Sequence, residues 1–177
     1  AAIFNVAITS EKLIKKNSFP LFENYPTSLW KNTIDVNLTG CFLFARETGK
    51  IFKKQKFGNL INISSIYGVV APDHSIYKNQ NFDTFPGYSA SKFGMIGLSK
   101  WLATKWAKDN IRVNCISPGG ILNKQNKKFI KNYSRRVPLG RMGKKNEITG
   151  LIIYLLSDQS SYCTGQNFII DGGLTAW

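Results

Sequence analysis

Residues 87–120 read GYSASKFGMIGLSKWLATKWAKDNIRVNCISPGG, and their order decides the fold class. From Tyr88 to about Asp109, Met95, Leu98, Leu102 and Trp106 fall on one stripe at helical spacing. Ile111–Ile116 is then a short apolar run without clean polar alternation, which suits a strand buried on both faces of a parallel sheet. The same kind of run appears at Ala1–Val6, Asn59–Ser64 and Asn167–Ile170. Two more helical patterns lie between them. Thr27–Lys54 carries Trp30, Ile34, Leu38, Cys41, Phe42 and Ala45, and Lys145–Ser157 carries Ile148, Ile152, Leu155 and Leu156. Strand–helix–strand alternation at this spacing predicts an α/β doubly wound fold. No internal repeat or linker interrupts it, so the chain reads as one domain or most of one.

Three stretches break the pattern. Tyr67–Gly87 is long and polar, with Pro72 and Pro86 setting turns. Pro118–Val137 reads as a loop holding Lys124, Lys127, Lys128, Lys131, Arg135 and Arg136. Asp171-Gly172-Gly173 is a turn after the last strand. Ligands of an open parallel sheet bind outside the carboxyl ends of its strands, where the first two of these loops emerge.

Composition narrows the function classes. The 177 residues are 43% hydrophobic, enough to bury a core and too apolar for a disordered chain. No apolar run approaches the roughly 18 residues of a membrane span. Cys41, Cys115 and Cys163 have no CxxC spacing, which gives neither a disulfide framework nor a zinc site and fits reduced thiols in the cytoplasm. One histidine, His74, rules out His-rich metal sites, and rules out a Ser-His-Asp triad unless His74 is its base; on the long loop it reads as a surface residue. Twenty-four Lys and Arg against ten Asp and Glu give a net charge of +14. Such a charge suits a nucleic-acid surface, but the lysines are scattered and no basic helix or RNP-type motif appears. A general bias towards Lys and Asn explains it as well, and no nucleic-acid partner is expected. The opening AAIFNVAITS is not a signal peptide. It reads as the middle of a buried strand and its loop, so the chain is expected to begin inside a domain.

The chemistry concentrates at Tyr88-Ser89-Ala90-Ser91-Lys92. Spacing i, i+4 puts the Tyr and Lys side chains on one helical face, about 5–6 Å apart at Cβ. A phenol with a pKa near 10 is a poor acid–base group at neutral pH, and a neighbouring ammonium lowers it. Tyr88 and Lys92 at the head of a helix therefore make a workable general acid/base. Alone the spacing is common, and a solvated lysine beside a half-buried tyrosine fits it too. The surroundings favour chemistry: one strand ends in Ser64-Ser65 and the next in Ser117-Pro118-Gly119-Gly120.

DVNLTG (35–40), NISS (62–65), YSASK (88–92), NIRVNCISPGGI (110–121), GRMG (140–143) and TGQNFIIDGG (164–173) follow one another along nearly the whole chain. In these segments and their order the chain resembles the short-chain dehydrogenase/reductase family, Rossmann-fold oxidoreductases that use NAD or NADP. The resemblance implies that Tyr88 exchanges a proton with the oxygen of a small carbonyl or alcohol substrate. It implies that Lys92 holds the Tyr88 pKa down and bonds the nicotinamide ribose, that Ser65 orients the substrate oxygen, and that Asn37 helps hold a water leading from Lys92. On the cofactor side it implies Asn5 and Ala7 near the adenosine, Ser64 lining that side, and Pro118, Gly119 and the Ile121 N–H meeting the carboxamide. Asn123 stands where the family often has Thr, and Phe4 where it has Asn. The long helices match the pair that builds family homotetramers or homodimers.

The family's T-G-x-x-x-G-x-G phosphate loop has no counterpart here, and residues 1–177 correspond to the C-terminal two-thirds of one domain, strands four to seven of its sheet. The chain alone is therefore expected to bind dinucleotide poorly and to have an unpaired edge at its first strand. A non-catalytic basic binding fragment is the alternative reading. The long stretch between Ser65 and Tyr88, with its extra part at 73–85, resembles that of bacterial members tied to surface-glycan sugars. With the basic loop it suggests a polar, sugar-like substrate, optionally phosphorylated, held by Lys127, Lys128, Arg135 or Arg136. Lysines that merely solvate a loop fit equally.

Overall fold

The computed structural model describes residues 1–9, 20–78 and 83–177. Four parallel strands, β1 (Ala2–Phe4), β2 (Gly58–Ile63), β3 (Ile111–Pro118) and β4 (Asn167–Ile170), lie side by side in sequence order. Leu60 of β2 faces Ala2 of β1 and Val113 of β3, and Cys115 faces Asn167. β1 is shorter than the apolar run that announces it. Val6 is already exposed beyond the last pair, Phe4 with Asn62.

Alternation along the strands sends side chains to two helical layers. Leu60 and Val113 pack with Ala45, Phe52, Leu102 and Trp106 on one face. Ile61 and Ile116 pack with Leu155 on the other. The first face is covered by α1 (Thr27–Ile34), a π-helical turn (Asp35–Thr39), α2 (Gly40–Gln55) and α3 (Pro86–Trp106). The second is covered by α5 (Lys145–Leu156). The helix expected at 27–54 is thus continuous but widened at its middle by the π turn, a device common at functional sites. Its end is closed by Lys56 at φ 57, and α3 and its 3-10 tail end at Asn110 with φ 56.

One expectation needs correction. Residues 118–137 are not all loop: α4 (Lys127–Ser134) begins at Asn126, whose side chain accepts from the Phe129 N–H at 2.8 Å. Phe129 and Tyr133 are buried one turn apart and pack with Ile66, Ile76, Val137 and Met142 in a separate cluster. Short 3-10 turns at Ile66–Gly68 and His74–Tyr77 shape the stretch before α3. Of the extra part at 73–85, residues 79–82 lie outside the described residues. Among the described residues no helix is long and apolar enough to cross a membrane.

Gly68 is where the end of β2 meets α3. A Cβ there would lie 2.8 Å from the Lys92 carbonyl group and from the Ser64 hydroxyl, and neither a helix backbone nor a buried hydroxyl yields easily. Gly68→Ala is expected to destabilise the fold by about 1–3 kcal/mol through overpacking. A urea midpoint equal to wild type would contradict this close approach.

Candidate active site

The carboxyl ends of β2 and β3 and the N-terminal turn of α3 border a cleft of about 340 Å³. Ser65, Tyr88, Gly119, Gly120 and Ile121 line it, so three separate sequence segments meet there. Pro86 at the first turn of α3 fixes where the helix begins, and Tyr88 and Lys92 follow on its first turns. Ser65 caps the turn after β2, its hydroxyl accepting from the Tyr67 N–H at 3.1 Å.

Lys92 is only 2% exposed. Its amine donates to the Ile63 carbonyl at 2.8 Å and stands 5.6 Å from the centre of the Tyr88 ring. Burial pulls its pKa from 10.5 down to about 8, against a smaller opposite pull from Cys41 and Cys115. The expectation that Lys92 holds the phenol down does not describe this state. Burial raises the Tyr88 pKa, the Ser65 hydroxyl opposes the rise, and Lys92 does not enter. With a pKa of about 8 the amine keeps most of its charge at pH 7, but it donates to the Ile63 carbonyl and not to the phenol.

Asn37 is fully buried within the π turn. Its Oδ1 accepts from the Ile8 N–H at 2.7 Å, and its Nδ2 donates to Ser91 Oγ at 3.1 Å and to the Ile8 carbonyl at 3.3 Å. The side chain therefore clamps the segment after β1 to α3. Ser64 is also turned inward, its hydroxyl donating to the Lys92 carbonyl at 3.0 Å. Asn5 is exposed and Ala7 half-buried; of their segment, Thr9 reaches the cleft. Pro118 ends β3, and Ile121 forms a single parallel bridge with Gly143. The bonds of that bridge run from Leu122 N–H to the Gly143 carbonyl and from Gly143 N–H to the Gly120 carbonyl, so it does not use the Ile121 N–H. Asn123 donates its N–H to Gln125 Oε1 at 2.6 Å.

The sequence reading missed an aromatic side of the cleft made by Tyr67, Tyr77, Phe85, Phe129 and Tyr133. The Tyr133 hydroxyl accepts from the Gly120 N–H, and a Cβ on Gly120 would stand 2.6 Å from the Tyr133 ring. A signal existed in Asn126 followed by Phe129, Ile130 and Tyr133, a capped apolar stripe at spacing i, i+1, i+4. The surrounding lysines masked it. Lys127, Lys128, Arg135 and Arg136 are exposed. Arg136 pairs with Asp73 instead of facing the cleft.

A profile of the family described as enoyl-(acyl carrier protein) reductase matches residues 2–175. The chain belongs to the short-chain dehydrogenase/reductase family. It is 39% identical over 141 residues to the post-translational flagellin modification protein A of Campylobacter coli, covering 80% of this chain and 55% of that protein. It is 40% identical over 152 residues to the 3-oxoacyl-[acyl-carrier-protein] reductase FabG of Thermotoga maritima, covering 82% of this chain and 56% of that one. A short-chain dehydrogenase of Leptospira borgpetersenii solved with bound NAD+ superposes with a TM-score of 0.84 at 37% identity, over 98% of this chain and 63% of that one. The chain spans about half the length of these curated relatives. Solved relatives carry NAD+ in the Leptospira enzyme and NADP in a gluconate 5-dehydrogenase of Burkholderia cenocepacia.

In this family member the buried Lys92 makes stability depend on pH. Between about pH 8 and 10.5 the unfolded lysine holds its proton and the native one does not, so its contribution to unfolding free energy rises with pH in that window. Below pH 8 both states are charged and the full burial penalty remains. The stability of Lys92→Met relative to wild type is expected to be greatest near pH 7 and to decline by about 3 kcal/mol as pH rises through the window. Parallel urea midpoints for the two proteins would show Lys92 to be exposed or charged at pH 9.

Proposed function

We propose that this chain carries the proton-transfer half of an NAD- or NADP-dependent oxidoreductase that interconverts a carbonyl and a secondary alcohol. The observation that carries the reading is the meeting of Ser65 and Tyr88 in one cleft, with Lys92 buried beside the phenol. A non-catalytic basic fragment has no use for a lysine buried at the cost of its charge.

The residues fit the nicotinamide end of the cofactor. Lys92 spends one of its three N–H groups on Ile63 and has donors left for ribose hydroxyls. The Ile121 N–H, which its bridge does not use, is assigned to a carboxamide oxygen, with Pro118 and Gly119 assigned to the same edge. Asn5 and Ala7 are assigned to the adenosine side, and Ser64 holds α3 through its hydroxyl. When bound, the cofactor supplies or accepts the hydride. Ser65 donates to the substrate oxygen and orients it, and the Tyr88 phenol gives its proton to that oxygen in reduction or takes it back in oxidation. The phenolate left behind strengthens the charged form of Lys92, which can then re-protonate it through solvent. Asn37 spends both amide hydrogens and one oxygen lone pair on Ile8 and Ser91, so a water in that path is left acceptor oxygens only, the second Oδ1 lone pair or the backbone carbonyl.

Tyr67, Tyr77, Thr84 and Phe85, from the stretch before α3, line the cleft and bring hydroxyls to it, which supports a sugar-like substrate. Residues 1–177 are taken as the C-terminal two-thirds of the catalytic domain. Exposed Phe42 and Ile51 on α2, with Phe93 and Trp101 on α3, support a homotetramer or homodimer. Three free cysteines, two of them buried, support a cytoplasmic location.

In the natural gene product, Tyr88→Phe is expected to lower kcat by about 10²–10⁴-fold with the circular dichroism spectrum unchanged. Ser65→Ala is expected to lower kcat as well, by a smaller factor. Oxidation of NADH or NADPH with a ketone panel gives the readout. More than about a tenth of wild-type kcat in Tyr88→Phe would remove the phenol from the proton-transfer role.

A further inference from the structure

We propose that the cleft seats an uncharged, ring-shaped carbonyl or secondary-alcohol group against aromatic faces, and that it rejects the phosphorylated or carboxylated form of the same ring. This rests on the oxidoreductase reading above and names the substrate class of that site.

The first support is the aromatic wall of the cleft that Ser65 also lines. Tyr77 and Phe129 have ring centroids 5.6 Å apart, and Phe129 and Tyr133 5.9 Å, so three rings form one continuous apolar surface. Phe85 stands 5.9 Å from Tyr88 and extends it towards the reacting phenol. A flat ring with C–H faces fills such a slot and keeps its edge free for polar contacts.

The second support is charge. Among the described residues, no Lys, Arg, Asp or Glu lines the cleft. Its polar groups are hydroxyls and an amide: Thr9, Ser65, Thr84 and Gln125, with the tyrosines. The Tyr67 and Tyr77 hydroxyls bond each other at 2.8 Å, and burial raises the pKa of both, as it does for Tyr133. These phenols stay neutral at pH 7. An anion placed among them leaves water without a counter-charge, the costliest way to bury a charged group.

The third support is the placement of the cations nearest by sequence. Arg136 is bound to Asp73, and the Arg136 carbonyl accepts from Trp177 Nε1 at 3.2 Å. The pair links α4 to the stretch before α3 on the outside of the wall. Lys127 and Lys128 lie in the exposed first turn of α4, away from the buried face that carries Phe129 and Tyr133. The basic stretch is scaffold and solvated surface, and the rings behind it do the recognition.

The test uses the natural gene product with 4-hydroxycyclohexanone, its phosphate monoester and 4-oxocyclohexanecarboxylate. Binding is read by ligand-observed NMR, and turnover by oxidation of NADH or NADPH. The neutral ketone is expected to exceed both anions in kcat/KM by about tenfold or more. Phe129→Ala should raise its KM by a similar factor with a smaller change in kcat. Arg136→Gln and the pair Lys127→Gln, Lys128→Gln should leave the preference for the neutral ring unchanged. An anion preferred by wild type, with the preference lost in Arg136→Gln or in the lysine pair, would overturn the proposal and leave the oxidoreductase reading standing. Neutral-ring binding that Phe129→Ala abolishes, without turnover, supports the cleft assignment and removes the oxidoreductase reading. Neither binding nor turnover of any of the three overturns both.

Discussion

The candidate site is organised around one buried amine. Lys92 lies between α3 and the end of β2, and its bond to the Ile63 carbonyl fixes how far the helix sits from the strand. The contacts around it follow from that distance. Ser64 bonds the Lys92 carbonyl, Gly68 passes within Cβ range of it, and Ser91 reaches Asn37 in the π turn. Asn37 in turn holds Ile8 after β1. The segments after β1 and β2 are thereby positioned from one turn of α3. A lysine deprived of water loses stability as a structural device, since a methionine of similar length packs without that penalty. The arrangement makes physical sense where a cation poised near neutrality is needed beside a phenol.

The parallel sheet and its coverings were legible because burial leaves a strong mark. Leu60, Ile61, Val113 and Ile116 sit in runs with no polar alternation, and helices must then cover both faces. The strand-end serines and Tyr88 were legible for a related reason: a strand's carboxyl end and a helix's first turn are places that sequence marks with Pro, Gly and Ser. Boundaries were less legible. β1 stops at Phe4 although the apolar run continues to Val6, since pairing with β2 ends there. The π turn was invisible too, because its residues have the same helical spacing as their neighbours and the extra residue shows only in the backbone bonds.

The aromatic side of the cleft escaped for a different physical reason. Its rings come from residues 67, 77, 85, 129 and 133, on two 3-10 turns, an extended residue and a two-turn helix, with no period shared between them. α4 is short and carries lysines on its solvent face, so its apolar stripe of Phe129, Ile130 and Tyr133 is outweighed in any composition window. The charge that drew attention to this region misled for the same reason. Exposed lysines report on solvent, and Arg136 is already matched by Asp73.

On the proposed reading, reaction and recognition are held by different kinds of structure. Ser65, Tyr88 and Lys92, the groups proposed to handle the proton, sit at the carboxyl end of β2 and the first turns of α3, where backbone ladders and a buried lysine leave little freedom. The rings sit on segments tied down mainly by contacts with one another: Tyr67 to Tyr77 through their hydroxyls, Tyr77 to Phe129 by ring packing, Tyr133 to Gly120 by one bond. Gly120 joins the two halves, because its carbonyl enters the bridge at Gly143 while its N–H is held by the ring side. On the proposed reading, replacing the rings changes what the cleft admits, while Lys92 is held by bonds between α3 and the end of β2 that do not involve the rings. A fold divided in this way can vary its substrate through short, weakly patterned segments and keep its chemistry in the strongly patterned ones.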